Sequence, residues 1–165
     1  MFRYNVVRVK QTVLCAFLII AGTACSRLPG LTPDTLADAQ QKWNAHKPAS
    51  YHLVIEMSGD RVEQGRFEVD VRSSQVTGLR RNGLVIPANS GQDYSMEGLF
   101  RMLQQELGLA EKPAMLGAPP GYSVYTTALF DEMTGRLVRY RRIVGGTSNS
   151  IEVNVEEYRD DTNRN

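Results

Sequence analysis

The 165-residue chain has few residues of the kinds that build metal sites and disulfide frameworks: two cysteines and two histidines. His46 and His52 have no obvious third ligand near them in the sequence, whereas a zinc site needs three or four ligands that converge. The formal net charge is only +1, which leaves no basic excess for nucleic acid. The sequence therefore predicts no metal, no cofactor and no nucleic-acid partner.

The remaining composition is that of a soluble globular domain, with 42% hydrophobic and 22% charged residues. The length corresponds to about one domain. The main apolar run, residues 12–21, is shorter than the ~20 residues that a membrane-spanning helix needs.

The N-terminal segment has the layout of an export signal. Arg3, Arg8 and Lys10 precede the apolar run, and small residues follow it up to Ala24. This order is typical of a secretory signal peptide, so we expect residues 1–24 to be removed. Removal lowers Lys plus Arg from 19 to 16 against 18 Asp plus Glu, which leaves the mature chain at −2.

Residues 21–26 resemble the lipobox of bacterial lipoproteins, in which the cysteine is acylated and becomes the first mature residue. The resemblance implies lipid (palmitate) attachment at Cys25. Pro29-Gly30 and the lack of periodicity predict that residues 25–31 form a short tether. Ser26 implies the periplasmic face of the outer membrane if the cell has two membranes. Gly22 departs from the usual Leu, Val or Ile, so ordinary cleavage after Ala24 with a free Cys25 thiol stays an alternative.

Periodicity and turn residues predict two helices and a series of strands. Thr32 and Pro33 start a helix over 33–46, and Ser95 caps a second helix that Gly108 ends. Asn82-Gly83 is a strong hairpin signal. The predicted strands are 51–57, 66–72, 76–81, 84–86, 122–130, 136–144 and 151–158.

This order predicts an α+β domain at residues 32–160, with a frayed end at 161–165. Short turns favour a mainly antiparallel sheet of about five to seven strands, with two helices packed on one face. Arg141 opposite Glu152 and Tyr140 opposite Val153 give the last hairpin one apolar face. We interpret Trp43 as a core anchor, with a ligand platform as the alternative.

The order of several segments resembles a known family. They are Trp43 ending a helix, Tyr51 opening a strand, residues 67–71, a Leu99-Phe100 helix and the turn at 130–135. Over residues 37–158 the chain is similar to the bacterial lipoprotein family known only as domain of unknown function 6174. That family has no established catalytic residues, so the resemblance assigns no site.

One predicted strand is crowded with arginine. Arginine's planar fork suits carboxylate or phosphate, so these residues are candidates for contact with an anionic lipid or an acidic partner. The competing interpretation is that Glu152 and Glu156 neutralise them across the sheet. The candidates are Arg136, Arg139, Arg141 and Arg142, with Arg80 and Arg81 on a neighbouring strand.

No catalytic residue is predicted. Adjacent acids such as Asp131-Glu132 usually face water, and no nucleophile triad or phosphate loop is present in the sequence. We therefore expect a non-enzymatic, lipid-anchored envelope protein that binds or scaffolds another envelope component. The alternatives are an envelope hydrolase that uses paired carboxylates and an enzyme inhibitor that presents the loop at 111–121.

Overall fold

A computed structural model describes residues 28–60, 64–87 and 90–162. The predicted signal peptide, Cys25 as the predicted site of lipid attachment, and residues 163–165 of the predicted frayed end lie outside the described residues. No helix within the described ranges is both long enough and apolar enough to cross a bilayer.

Two helices begin at the residues predicted as caps. α1 spans Pro33–His46, and the side chain of Thr32 accepts a hydrogen bond from the backbone N–H of Thr35. α2 spans Met96–Ala110, and the side chain of Ser95 accepts from the backbone N–H of Gly98. Each side-chain oxygen satisfies a helix N–H that would otherwise lack a partner.

The end of α2 differs from the prediction. Gly108 was expected to end the helix, but α2 continues to Ala110. Lys112 then leaves the helical conformation, with φ −126° and ψ 65°, because the ring of Pro113 disfavours that conformation in the residue before it. The following segment starts with a short 3-10 helix, Pro113–Leu116, where the sequence analysis predicted only loop.

Seven strands of the described chain form one antiparallel sheet in the order β4-β3-β2-β1-β7-β6-β5. This confirms the predicted α+β fold class. The strands are β1 Tyr51–Gly59, β2 Gly65–Arg72, β3 Gln75–Arg81, β4 Leu84–Val85, β5 Val124–Phe130, β6 Leu137–Val144 and β7 Ser150–Asp160.

The predicted register of the last hairpin is confirmed. Arg141 lies opposite Glu152, and Tyr140 lies opposite Val153. Tyr140 and Val153 are fully buried, so this register directs apolar side chains into the core.

The core lies between the two helices and one face of the sheet, which we call the covered face. Trp43 is 1% exposed, which confirms it as a core anchor. Its ring meets the rings of Tyr51 and Tyr158 edge-on at centroid distances of 5.6 and 6.1 Å. Residues of both helices belong to this one core, so within the described chain the opposite face of the sheet, which we call the open face, is left without a helix.

Both ends of the domain are bonded to the sheet. Leu31 N–H donates to the Thr126 carbonyl over 3.0 Å, and Ala128 N–H donates to the Pro29 carbonyl over 3.1 Å. The last residues of the predicted tether therefore extend the sheet at the outer edge of β5. At the other end, Asp161 N–H donates to the Ser50 carbonyl over 3.0 Å, so residue 161 is still attached to the domain.

Candidate functional site

The four arginines predicted as one contact surface are dispersed. Arg142 is only 2% exposed, and the guanidinium of Arg136 lies over a tyrosine ring on the covered face. Arg139 and Arg141 project from the open face, where side-chain exposure is 44% and 50%. The prediction that Arg142 contacts a partner is wrong, because its side chain packs inside the domain.

A buried network holds Arg142 in place. Its Nη1 donates to Glu106 Oε2 over 2.6 Å, and its Nη2 donates to Asn149 Oδ1 over 2.8 Å. The Tyr140 hydroxyl donates to the same carboxylate oxygen over 3.1 Å, and burial beside the Glu106 charge raises the pKa of that hydroxyl. The network joins α2 to β6, so we assign it a structural role.

The sequence contains a signal for this network. Glu106 follows Leu99 by seven positions and Leu103 by three, so it shares the apolar face of α2. A carboxylate at such a position needs a buried partner to offset its lost hydration. That requirement could have identified Arg142 as a core residue, although the partner's identity depends on the pairing of distant elements.

A second carboxylate, Glu97, joins three elements at the start of α2. It accepts hydrogen bonds from Tyr51 Oη over 2.7 Å, Lys47 Nζ over 3.2 Å and Trp43 Nε1 over 3.3 Å. Desolvation raises the pKa of Glu97, but these hydrogen bonds outweigh it, and the pKa lies below its usual value. Glu97 thus stabilises the contact between α1, β1 and α2 in its ionised form.

A groove of about 440 Å³ opens between α1, the end of β5 and the β5–β6 turn. Pro29 and Gly30 form one side, and Ala39, Ala128 and Phe130 supply apolar surface. Four carboxylates line it, namely Asp34, Asp38, Asp131 and Glu132. We call this feature the acidic groove.

α1 supplies two of these carboxylates. Asp34 and Asp38 are four residues apart on the helix, so they share one side of it. Lys42, one turn further, also lines the groove, and its Nζ lies 2.9 Å from Asp38 Oδ2. The lining of the groove therefore contains one lysine and four carboxylates, which is an excess of negative charge.

Asp131 is built into the β5–β6 turn. Its Oδ1 accepts from the Thr134 N–H and the Thr134 hydroxyl, each over 2.8 Å, and from the Met133 N–H over 3.2 Å. Hydrogen bonds from Thr134 hold the pKa of Asp131 below its usual value, and the charge of Arg136 adds to the effect. A carboxylate that stays ionised can bind a cation, but it has no proton to donate as a general acid.

Gly135 brings the β5–β6 turn against α1. Its φ is +72°, and a Cβ on it would collide with the Ala39 carbonyl oxygen. The close approach of turn and helix defines one wall of the acidic groove. A side chain at position 135 would push this wall outward.

The two histidines have separate surroundings. His46 Nδ1 lies 2.8 Å from the Lys42 carbonyl oxygen, and His52 Nδ1 lies 2.8 Å from Asp70 Oδ1. Within residues 28–60, 64–87 and 90–162, no three histidine, cysteine, aspartate or glutamate side chains are grouped as metal ligands.

No protein-family model matches the chain, and no curated protein or solved structure is significantly similar to it. The resemblance to domain of unknown function 6174 therefore stays a prediction.

Proposed function

We propose that this protein is a non-enzymatic, lipid-anchored binding module of the cell envelope. In this proposal the leader is removed, Cys25 is acylated and the acidic groove takes a basic segment of another envelope protein. The observation that carries the proposal is the groove itself, a cavity of about 440 Å³ lined by four carboxylates beside Pro29 and Gly30.

Charge and shape together favour a basic segment as the occupant. Asp34, Asp38, Asp131 and Glu132 give the groove a negative potential that attracts Lys or Arg. The apolar surface of Ala39, Ala128 and Phe130 suits the methylene stem of such a side chain. Anchoring raises the local concentration of both partners, so a weak contact is sufficient.

The hydrolase alternative uses the same carboxylates. A general acid at neutral pH needs a raised pKa, whereas the pKa of Asp131 is lowered by its bonds within the turn. This observation favours binding over acid–base chemistry. Hydrolysis of cell-wall fragments that is lost in an Asp34→Asn/Asp38→Asn variant would instead support the hydrolase.

The inhibitor alternative depends on the segment after α2. Met115 is 66% exposed, and the adjacent Leu116 is buried with its carbonyl accepting from Asn149 Nδ2 over 2.8 Å. A loop that is held in place and has an exposed apolar tip is suited to insertion into a cleft, because it loses little conformational freedom on binding. Loss of partner binding in a Met115→Ser variant would favour this role.

Two measurements test the proposed function separately. Mass spectrometry of the mature N-terminus tests the anchor, and an unmodified Cys25 or a retained Met1 would contradict it. Titration with a lysine-rich peptide and its lysine-acetylated counterpart tests the groove. Only the charged peptide should bind, and added salt should weaken its binding.

The Asp34→Asn/Asp38→Asn variant should weaken that binding by about 2- to 30-fold, since two exposed ion pairs are lost and each contributes up to ~1 kcal/mol. A Glu156→Gln/Glu157→Gln variant removes two carboxylates from another part of the protein and is the matched control. Equal weakening in both variants would contradict the assignment of the groove.

A further inference from the structure

The open face of the β5–β6 hairpin exposes three apolar side chains. Tyr125 is 64% exposed, Leu129 40% and Ile143 37%. Tyr125 pairs directly with Ile143, and Leu129 pairs with Arg139. Together with Arg141 these residues form what we call the outer patch.

The central part of the open face differs from the outer patch. Val54 is an apolar residue on β1 whose neighbours in the sheet are Glu68 and Glu157. It is only 1% exposed. Apolar surface is therefore covered in the centre of the open face but left accessible at the β5–β6 end.

The outer patch also carries excess positive charge. Arg139 Nε donates to Glu152 Oε1 over 3.0 Å, and Arg141 Nε lies 3.9 Å from Glu152 Oε2. One carboxylate thus serves two guanidinium groups. Both arginines are roughly half exposed, so their remaining donors can reach an anion.

The N-terminal segment reaches the domain at this same edge of the sheet. Gly30 forms a bridge with Thr127 of β5, the strand that carries Tyr125 and Leu129. Cys25 precedes Pro29 by four residues, so a fully extended chain separates their Cα atoms by at most about 14 Å. An acyl group on Cys25 would hold the bilayer close to the β5 edge.

We propose that the outer patch docks on the phospholipid surface that carries the anchor. Tyr125, Leu129 and Ile143 enter the headgroup region, and Arg139 and Arg141 bind anionic headgroups. Tyrosine favours this region because its ring is apolar and its hydroxyl is polar. The inference rests on the proposed lipid anchor, which makes docking intramolecular.

Lipid-depth quenching tests the proposal on the acylated protein. The variants Tyr125→Cys and Leu84→Cys each receive a polarity-sensitive dye and are reconstituted in phosphatidylethanolamine–phosphatidylglycerol vesicles that contain doxyl-labelled lipid. Leu84 is 76% exposed and lies on β4, at the opposite edge of the sheet, so it is the matched control. We expect blue-shifted, lipid-quenched emission at position 125 and neither effect at position 84.

The arginines are tested in the same assay. Each cation at an anionic surface changes the docking equilibrium by about fivefold, so Arg139→Gln/Arg141→Gln should lower the ratio of docked to undocked protein by about 25-fold. Arg66→Gln/Arg80→Gln, on β2 and β3 of the same sheet, should leave the ratio unchanged.

The possible outcomes separate this inference from the proposed function. Mass spectrometry on the same samples reports acylation of Cys25 independently of the dye. If the acylated protein shows no lipid quenching at position 125, or equal quenching at both positions, the docking proposal is overturned while the anchor stands. A blue shift without lipid quenching would identify a protein–protein interface and would also overturn it.

Discussion

The two faces of the sheet use the same pair of residue types in opposite ways. On the covered face, Arg142 and Glu106 form an ion pair in which the side chains are 3% and 9% exposed. On the open face, Arg139 and Glu152 form one in which they are 44% and 25% exposed. Both arginines belong to β6, three residues apart.

This difference shows that burial decides what an arginine does in this protein. A buried pair loses its hydration, so each partner depends strongly on the other. An exposed pair is solvated and contributes little to stability. The open-face arginines can therefore exchange their partner for a ligand, whereas Arg142 cannot.

The largest effect should come from breaking the buried pair. Arg142→Met leaves Glu106 charged and buried without its partner, which should lower the free energy of unfolding by about 3–5 kcal/mol. Adding Glu106→Leu should recover most of that loss, because no unpaired buried charge remains. Urea unfolding followed by circular dichroism measures both. Equal stability of the single and double variants would contradict the dependence of each partner on the other.

Glu97 should have an intermediate effect, because its side chain is 31% exposed but accepts hydrogen bonds from the buried side chains of Trp43 and Tyr51. Glu97→Gln should lower the free energy of unfolding at neutral pH by about 1–2 kcal/mol, because charge-assisted hydrogen bonds from Tyr51 and Lys47 weaken. Urea unfolding at a series of pH values measures the difference between the variant and the parent.

The pH dependence of this difference has a definite sign. The pKa of Glu97 is lower in the folded state than in the unfolded chain, where it is about 4.3. Ionised Glu97 therefore stabilises the fold fully above that unfolded-state pKa. The stabilisation is lost as the pH falls through the lower folded-state pKa. The difference in the free energy of unfolding between the parent and Glu97→Gln should therefore become smaller as the pH falls below about 4. A difference that widens there would contradict the role of the ionised form.

The smallest effect should come from the open face. Arg139→Met is the same substitution as at position 142, but it should change the free energy of unfolding by less than about 1 kcal/mol. Added salt should reduce the difference further, since the pair is exposed. A loss as large as that of Arg142→Met would remove the distinction between the two faces.

The local elements of this protein could be predicted from short stretches of its sequence. Side-chain caps at Thr32 and Ser95 start both helices, since a cap bonds an N–H three residues away. Asn82 and Gly83 adopt φ values of 50° and 80°, which a tight hairpin requires. These patterns were predictable because the interacting groups are close in the chain. Among the boundaries that differ from the prediction, α2 continues past Gly108 because Pro113 rather than glycine sets its end, and β5 begins at Val124 rather than at residue 122.

The contacts between distant groups could not be predicted in this way, because they depend on the complete fold. β1 lies beside β7 in the centre of the sheet, with Ile55 opposite Val155, one hundred positions later (155 − 55). The burial of Arg142, the acidic groove and the outer patch all depend on such long-range pairing. Many strand orders satisfy the same local patterns, and they differ in which charges are buried together. The choice among them is made by the packing of the whole core, which no short stretch of sequence contains.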